Sequence, residues 1–509
     1  MRRALVLLTV LAAVLGAAAT PARAATFELG MEDEGLLLSN QHLAADAVSA
    51  WSRLGVDVVR IHARWWEIAP AVGSTKAPNG FNAANPDDPR YRWGTLDVAV
   101  ALVRAAGMRV MLTITGPGPL WASSEPKRHN PRWKPAAKPY AAFAHAVAAR
   151  YSDQVDRYLL WNEPNQPGWL QPQWECDQRR RNCRAVAPHI YRDLVRAAEP
   201  QVHAADPGSE VVMGELAPIG GSPISALTPI KPLVFMREMG CVDAQYRPLR
   251  IPSCKNFKSA KSDSFGYHPH PVLNAPDTIN PDPDEAQFAD LSRLFHVLDK
   301  LRARQRLRTS PNIHLTEFGY QTNPPDKAIG ISLAQQTKYL QQAAFVAWNA
   351  KRVRGLSFYQ WDDEPVVNRG SGTKRYAGWQ TGLRFNNGKP KPALSTFPAP
   401  FVIERKGASK SVRLWGQVRA AADPSIVVQV RARGAAGYRD LATVRTAPDG
   451  TWTYRLAFAA GASYRYLWTP TPTPTPTLFE LAPEPHFSGS VDPSRSEKTN
   501  LRAGSAPTL

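Results

Sequence analysis

The chain has 509 residues, with 62 Lys and Arg against 43 Asp and Glu, and a formal net charge of +19. A chain of this length is too long for a single domain with one ordinary hydrophobic core, and it suits a large domain with a small appendage. The basic residues are scattered and form no stripe beside a nucleic-acid-binding motif, so we exclude nucleic acid as a partner and interpret the charge as solvated surface. The same charge favours contact with acidic glycans or anionic cell-surface polymers.

The chain opens on a segment typical of an export signal. Arg2 and Arg3 precede an apolar run over residues 4–19, and small residues flank Arg23 where a signal peptidase would cut. We therefore expect a signal peptide over residues 1–24 and a secreted, extracellular protein. The apolar run is shorter than the ~18 residues that would indicate a membrane span, so we expect no span. A retained N-terminal anchor is the alternative.

Residues 25–397 alternate short β-rich runs with amphipathic segments, which is typical of βα units around a parallel sheet. The predicted strands are Thr26–Met31, Val56–His62, Arg109–Thr115, Val155–Trp161, Glu210–Leu216, Ser262–His268, Asn312–Glu317 and Gly355–Trp361. The predicted helices are Leu43–Leu54, Leu96–Ala106, Tyr140–Tyr151, Ile190–Ala205, Ala286–Leu307 and Leu333–Ala350; the fifth and eighth helices are not clear. An open, doubly wound sheet would need a nucleotide-binding fingerprint, and none is visible. The pattern therefore predicts an α/β fold, a (β/α)₈ TIM barrel.

Beyond the barrel the pattern changes to short strands without helices. The strands are predicted at Val412–Arg419, Ile426–Arg433, Tyr438–Arg445, Thr451–Phe458 and Tyr464–Trp468. Residues 399–468 therefore predict a small β-sandwich of immunoglobulin-like type. Residues 469–509 begin with alternating Thr and Pro and lack apolar periodicity, so we expect a disordered tail.

Four cysteines fall into two close pairs. In an exported chain an even number favours disulfides over metal ligation. Among the three connectivities that four cysteines allow, proximity favours Cys176 with Cys183 and Cys241 with Cys254. No zinc-type spacing of Cys or His is visible.

Polar residues follow the apolar strands at the C-terminal ends, where the working groups of a barrel of this type lie. Strand four ends in Trp161-Asn162-Glu163-Pro164, and strand seven ends in Thr316-Glu317-Phe318-Gly319. Hydrolysis of a glycosidic bond with retention needs one carboxylic acid and one carboxylate about 5–5.5 Å apart. Glu163 and Glu317 could meet that requirement across the barrel mouth. Their alternative role is that of structural salt-bridge partners.

At these residues the sequence resembles the glycoside hydrolases of clan A, which include families five and thirty-nine. The strand-four motif is similar to the acid/base motif of that clan, and the strand-seven motif is similar to its nucleophile motif. The resemblance covers Thr26 to about Phe397. It implies that Glu163 is the acid/base and that Glu317 is the nucleophile.

The resemblance also implies substrate-binding residues. It places Asn162 on the sugar 2-hydroxyl, Arg60 beside the nucleophile, His268 at the strand-six histidine position and Trp361 as the aromatic floor after strand eight. One departure is clear, because many relatives have His-x-Tyr after strand six, with the Tyr hydroxyl on the nucleophile. This chain has His268-Pro269-His270. Either His270 replaces that donor or Tyr267 supplies a hydroxyl from another position.

Charge and aromatic content agree with these assignments. Arg60 beside Glu317 would lower the pKa of that carboxyl, as a nucleophile requires, and Glu163 near that charge would keep its proton. His62 either faces the site or is a satisfied core histidine. A glycan cleft also needs aromatic platforms, and the tryptophans predicted on this face are Trp65, Trp66, Trp121, Trp169, Trp174 and Trp379.

The sequence therefore predicts a secreted retaining hydrolase that cleaves β-linked glycosidic bonds of a polysaccharide or oligosaccharide. Nothing in it indicates a catalytic metal or an organic cofactor. Two alternatives stay open at this point. One is a carbohydrate-binding or scaffold protein without turnover, against which the two matched Glu residues argue. The other is a transglycosylase, which would use the same two carboxylates.

Overall fold

The computed structural model of the protein describes residues 27–39, 41–179, 182–367, 378–419 and 424–469. The predicted signal peptide and nearly all of the predicted tail lie outside the described residues. Within these ranges no helix is both long enough and apolar enough to cross a membrane.

The first part of the chain forms a closed barrel of parallel strands. Within the described residues eight strands pair in chain order, and the last pairs with the first. They are β1 (Glu28–Glu32), β2 (Val58–Arg64), β3 (Arg109–Thr115), β4 (Arg157–Leu160), β5 (Glu210–Leu216), β6 (Ser264–Tyr267), β7 (Ile313–Leu315) and β8 (Val353–Tyr359). Their residues are buried almost throughout, because a parallel sheet is covered on both faces. The predicted (β/α)₈ barrel is confirmed.

Helices follow the strands and cover the outside of the barrel. They are α1 (Glu34–Ser39), α2 (Gln41–Arg53), α3 (Trp65–Ile68), α4 (Gly94–Ala105), α5 (Ala137–Arg150), α6 (Ala187–Ala205), α7 (Pro232–Met239), α8 (Leu291–Ala303), α9 (Leu333–Asn349) and α10 (Pro392–Thr396). The six predicted helices correspond to α2, α4, α5, α6, α8 and α9. The helices after β5 and β8 have 8 and 5 residues. They are too short to produce a helical pattern in the sequence.

The side chains inside the barrel form layers of different character. At the first residues of the strands, Arg157 pairs with Glu28 and Glu210 at 2.7 Å. Above them lies a small apolar cluster formed by Val58, Met111, Leu159 and Val212. Beyond this cluster, at the C-terminal ends, the inward side chains are again charged. The apolar layer supports the charged layer that forms the candidate site.

The C-terminal part of the chain forms two antiparallel three-stranded sheets. Its strands are β9 (Phe401–Glu404), β10 (Ser411–Gln417), β11 (Ser425–Arg431), β12 (Arg439–Arg445), β13 (Thr451–Ala457) and β14 (Ser463–Leu467), in the orders β9-β10-β13 and β12-β11-β14. Both sheets contribute to one apolar cluster, in which the rings of Phe401, Trp452 and Tyr466 contact each other. The predicted strands are present and β9 is additional. The immunoglobulin-like type and the domain boundaries stay predictions.

Both predicted disulfides are present, Cys176–Cys183 and Cys241–Cys254. The first joins the two strands of a short hairpin, Trp174–Cys176 and Cys183–Ala185, in the segment between β4 and α6. The second joins two cysteines that lie 13 residues apart in the sequence, in the segment after α7. Each bridge therefore restrains a segment that lies outside the barrel strands.

Candidate active site

The two predicted carboxylates lie close together at the C-terminal mouth of the barrel. Glu163 follows β4 and Glu317 follows β7, and oxygen atoms of the two side chains lie within 4.8 Å of each other. Their side chains are 18% and 12% exposed, so a ligand in the mouth can reach both.

The backbone around Glu163 is held in an uncommon conformation. Trp161 and Glu163 have φ angles of 71° and 36°, in the left-handed region that non-glycine residues rarely adopt. Two hydrogen bonds hold this turn: the Glu163 N–H donates to the Glu215 carbonyl at 3.0 Å, and the Asn162 N–H donates to Thr115 Oγ1 at 3.1 Å. Neighbouring strand ends therefore hold the conformation that directs the Glu163 side chain into the mouth.

Arg60 is fully buried at the centre of the charged layer. Its guanidinium donates to Glu32 and Glu215 at 2.6 Å and to Glu317 at 3.1 Å. It also donates to the Asn162 side-chain oxygen at 2.6 Å. Because the guanidinium is planar and rigid, this one group sets the relative positions of four strand ends.

The charges around Glu317 favour its ionised form. Burial by itself would raise the pKa of Glu317, but His268, His270 and Arg60 together hold it well below its usual range. The sequence predicted this direction from Arg60 alone. His268 contributes the larger part, followed by the hydrogen bond with His270. The role of Glu163 as a proton donor stays a prediction.

His268 lies between the two carboxylates. Its Nδ1 atom is 3.1 Å from Glu163 Oε1 and 3.5 Å from Glu317 Oε2. Its Nε2 atom is 3.5 Å from Glu215 Oε2. Burial lowers the pKa of His268, but these carboxylates outweigh burial and raise it to about 9. His268 is therefore an imidazolium at neutral pH.

The structure distinguishes between the two candidate donors to Glu317. His270 Nε2 lies 3.2 Å from Glu317 Oε1, and His270 Nδ1 lies 3.3 Å from the Gly319 nitrogen and 3.4 Å from the Gly319 oxygen. In the tautomer that accepts from the Gly319 N–H, Nε2 is protonated and donates to Glu317. Tyr267 points away from the mouth, and its hydroxyl donates to the Ala286 carbonyl. The proposal that Tyr267 supplies the donor is wrong, because its ring fills the fully buried core around the barrel.

The aromatic residue at the mouth also differs from the predicted one. Trp361 is 3% exposed and packs edge-on against Trp51 of α2, because the chain leaves β8 at Tyr359 and turns outward. Trp361 is therefore core and not a floor of the site. Trp379 is 43% exposed and stacks on the His270 ring at 6.5 Å between centroids. It is an exposed aromatic residue beside His270, which in turn contacts the predicted nucleophile.

The other predicted platforms have different environments. Trp65 is fully buried and stacks on Phe143, so it belongs to the core. Trp66 is half-buried on α3, at the same end of the barrel as the site. The remaining three predicted platforms are half-buried, and each contacts another residue. The ring of Trp121 contacts Trp65, the ring of Trp169 contacts His62, and Trp174 donates a hydrogen bond to the Thr228 carbonyl.

Sequence reasoning missed two buried carboxylates of the charged layer, Glu32 and Glu215. Both stand at the C-terminal ends of apolar strands, which is the signal that identified Glu163 and Glu317. Burial raises the pKa of Glu32 well above its usual range although Arg60 opposes this. Burial also acts to raise the pKa of Glu215, but Arg60, His268 and Thr316 together outweigh it and lower that pKa. A Cβ atom at Gly266 of β6 would overlap with the Glu215 carboxylate, so this glycine makes the necessary space.

His62 is neither in the open mouth nor a satisfied core histidine. It is 2% exposed, and burial lowers its pKa to about 4. Among the described residues, neither of its ring nitrogens has a hydrogen-bond partner. The structure thus brings together Arg60, Asn162, Glu163, His268, His270 and Glu317, with His62 behind them.

No family model matches the chain, and no curated protein matches it. Solved structures that match include a family 39 glycoside hydrolase from Bacteroides cellulosilyticus WH2, with 14% identity over 86% of this chain and 81% of that chain, at a TM-score of 0.47. An endo-β-1,4-mannanase from Thermotoga petrophila matches with 10% identity over 88% of this chain and 95% of that chain, at a TM-score of 0.41. A GH10 endoxylanase from a sugarcane soil metagenome matches with 14% identity over 73% of this chain and 96% of that chain, at a TM-score of 0.42. These matches are glycoside hydrolases, each at 14% identity or less.

Proposed function

We propose that the protein is a retaining glycoside hydrolase that cleaves β-linked glycosidic bonds of an oligosaccharide or polysaccharide. One observation carries the proposal: oxygens of Glu163 and Glu317 lie within 4.8 Å of each other at the open mouth. Retaining enzymes hold their carboxyl groups about 5–5.5 Å apart, whereas inverting enzymes need about 6.5–9.5 Å to admit a water molecule. A binding or scaffold protein has no need of such a pair.

In the first step Glu317 attacks the anomeric carbon from the face opposite the leaving group. The bond to the leaving oxygen breaks, and that oxygen takes the proton of Glu163. The product is a glycosyl ester on Glu317. In the second step Glu163, now a carboxylate, accepts a proton from water while the water oxygen attacks the anomeric carbon. The ester bond breaks, Glu317 is released, and the sugar keeps its original anomeric configuration.

The surroundings of Glu317 fit the first step. An attacking carboxylate must be ionised, and His268, His270 and Arg60 hold its pKa below the usual range. The Asn162 side-chain oxygen accepts a hydrogen bond from Arg60, which orients the amide group. Its NH₂ group then remains to donate to a sugar hydroxyl beside the anomeric carbon.

Two features support a sugar substrate outside the cell. The exposed ring of Trp379 offers an apolar face on which the C–H face of a sugar can pack. The two disulfides are typical of proteins that fold in an oxidising compartment. We therefore place the substrate among extracellular or cell-surface glycans.

The configuration of the first product tests the proposal. With an aryl β-glycoside that the protein cleaves, proton NMR in the first minutes should show the β-anomer of the released sugar before mutarotation. An activated 2-fluoro glycoside should leave a covalent adduct, and peptide mass mapping should place it on Glu317. Initial release of the α-anomer, or an adduct on Glu163, would contradict the mechanism.

His270 should tune the nucleophile through its hydrogen bond. Replacing it with Phe keeps a ring under Trp379 but removes the donor, which costs about 1.5–3 kcal/mol, or roughly 10- to 150-fold in kcat/KM. Because the bond stabilises the carboxylate, its loss raises the pKa of Glu317, and the acid limb of the pH profile should move to higher pH. His270→Tyr, which offers a hydroxyl, is the matched control and should recover part of the loss. An unchanged acid limb in His270→Phe would show that His270 only fills space.

A further inference from the structure

Behind Arg60, a second polar cluster lies at the junction of β1, α1 and β2. It consists of Glu32, Glu34 and His62, which are 0%, 8% and 2% exposed. His62 Nε2 is 3.3 Å from Glu32 Oε1, and His62 Nδ1 is 3.3 Å from Glu34 Oε1. We call these three residues the Glu-Glu-His cluster. The catalytic steps proposed above use none of them directly.

The cluster has polar atoms that the described protein does not satisfy. Each carboxylate uses one oxygen for an arginine: Glu32 Oε2 accepts from Arg60 at 2.6 Å, and Glu34 Oε1 accepts from Arg64 at 3.0 Å. The other oxygens, Glu32 Oε1 and Glu34 Oε2, have no hydrogen-bond partner among the described residues, and neither has either nitrogen of His62. Buried polar atoms in folded proteins are almost always paired. The two nitrogens of His62 each face a glutamate oxygen at 3.3 Å without forming a hydrogen bond, which indicates a missing partner.

The charge in this region indicates the sign of that partner. Arg60 is shared by Glu32, Glu215 and Glu317, and Arg64 is shared by Glu34 and Glu67. Arg60 thus serves three carboxylate side chains, and Arg64 serves two. Uncompensated buried charge is costly, so a cation is the partner that this region lacks.

We propose that the Glu-Glu-His cluster binds one divalent metal ion, through one oxygen of each carboxylate and one nitrogen of His62. Carboxylates together with a neutral imidazole suit Zn²⁺ and Mn²⁺. A zinc ion at its usual bond lengths holds its ligands about 3–4 Å from one another. The ligand atoms of the three side chains lie within 4.8 Å of one another, so small side-chain shifts would bring them to these distances. Arg60 and Arg64 would hold the carboxylates from the outer side, as second partners of metal ligands commonly do.

A second group of potential ligands lies nearby and must be distinguished from this one. Glu163, His268, His270 and Glu317 also have ligand atoms within 4.8 Å of one another. There, however, His268 Nδ1 and His270 Nε2 already make hydrogen bonds with Glu163 and Glu317. The carboxylates of that group already contact His268 and His270. The Glu-Glu-His cluster is therefore the better site for a cation.

Metal binding by the untagged protein tests the proposal without any measurement of activity. The protein is stripped with chelator, incubated with Zn²⁺ or Mn²⁺, desalted and analysed by mass spectrometry for bound metal. Loading with Co²⁺ adds a visible spectrum that reports on the ligands. We expect one ion per chain in the wild type and in His270→Phe. In His62→Ala and Glu34→Gln we expect binding at least about tenfold weaker, since even the loss of an outer partner has effects of that size.

Circular dichroism shows whether each variant is folded. If His62→Ala does not fold, Glu34→Gln decides, because its amide is isosteric and the Glu34 side chain is 10% exposed. The proposal is overturned if the wild type binds no ion, or if Glu34→Gln binds as tightly as the wild type. It is also overturned if His270→Phe loses the ion, because the ion would then lie between the catalytic carboxylates. None of these outcomes depends on the glycosidase assignment.

Discussion

Replacing Glu163 by Gln is expected to separate activated from unactivated substrates. The variant cannot protonate a leaving oxygen, which matters greatly for a sugar or alkyl leaving group and little for a nitrophenolate that departs unaided. Acid catalysis contributes roughly 10²–10⁴-fold. The loss of activity on the unactivated substrate should therefore exceed the loss on the activated substrate by about that factor. Stopped-flow absorbance should show a burst of phenolate and then slow turnover, because the ester on Glu317 waits for a base to activate water.

An added small anion provides the control for this prediction. Azide needs no base, and it should attack the intermediate from the side on which Glu163 stands. It should therefore speed the slow phase and yield a β-glycosyl azide, which NMR identifies. Equal loss on both substrate types, with no burst and no response to azide, would mean that Glu163 is not the acid/base.

Replacing Glu317 by Gln or Gly should abolish turnover of every substrate alike. The ester on Glu317 cannot form, so activation of the leaving group gives no advantage and no burst should occur. Removal of a catalytic nucleophile in another hydrolase costs about 10⁶-fold in kcat, and we expect a loss of that order. Kinetics on aryl glycosides with leaving groups of graded acidity should show a uniform loss.

The Gly variant distinguishes a lost nucleophile from a damaged site. Azide can enter the space left by the carboxylate and attack an activated β-glycoside directly, from the face opposite the leaving group. The product should then be the α-glycosyl azide, opposite in configuration to that from the Glu163 variant. A burst from a Glu317 variant, or the same azide anomer from both variants, would reverse or refute the assignment of roles.

The hydrogen bonds of Arg60 provide a further control for the Glu317→Gln variant. Glu317 lies 3.1 Å from Arg60, which is also bound to Glu32, Glu215 and Asn162. Glu317→Gln keeps a hydrogen-bond acceptor for Arg60, so the rest of the network should stay in place. The thermal unfolding temperature of the Gln variant should therefore change little. A loss of activity can then be attributed to the missing nucleophile and not to unfolding.

Much of this site could be predicted from the sequence because the barrel topology imposes it. Parallel strands in a closed barrel all end at one mouth, so polar residues after apolar strands must meet there. This is how Glu163 and Glu317, 154 residues apart in the chain, could be paired before their distance was known. Glu32 and Glu215 carry the same signal and could have been identified in the same way.

The tertiary structure alone decided which side chains face the mouth once the chain has left a strand. Tyr267 is still within β6 and points into the core, whereas His270, three residues later, reaches Glu317. Trp361 turns outward onto Trp51, and Trp379 supplies the aromatic surface. Periodicity determines direction only inside a strand or helix, because the backbone of a connecting segment follows no repeat.

The charge state of the site likewise depended on neighbours that are distant in sequence. Arg60 alone predicted an ionised Glu317, but the carboxylates around His268 make a buried imidazolium that contributes more. From the sequence, His62 could either face the site or be a satisfied core histidine. Only its contacts with Glu32 and Glu34 show that it belongs to a separate polar cluster. The sequence by itself determined the fold and the two carboxylates, since strand order sets both. The pairing, burial and protonation of the remaining groups were decided by distances of 3–4 Å that form only when separate strands close the barrel.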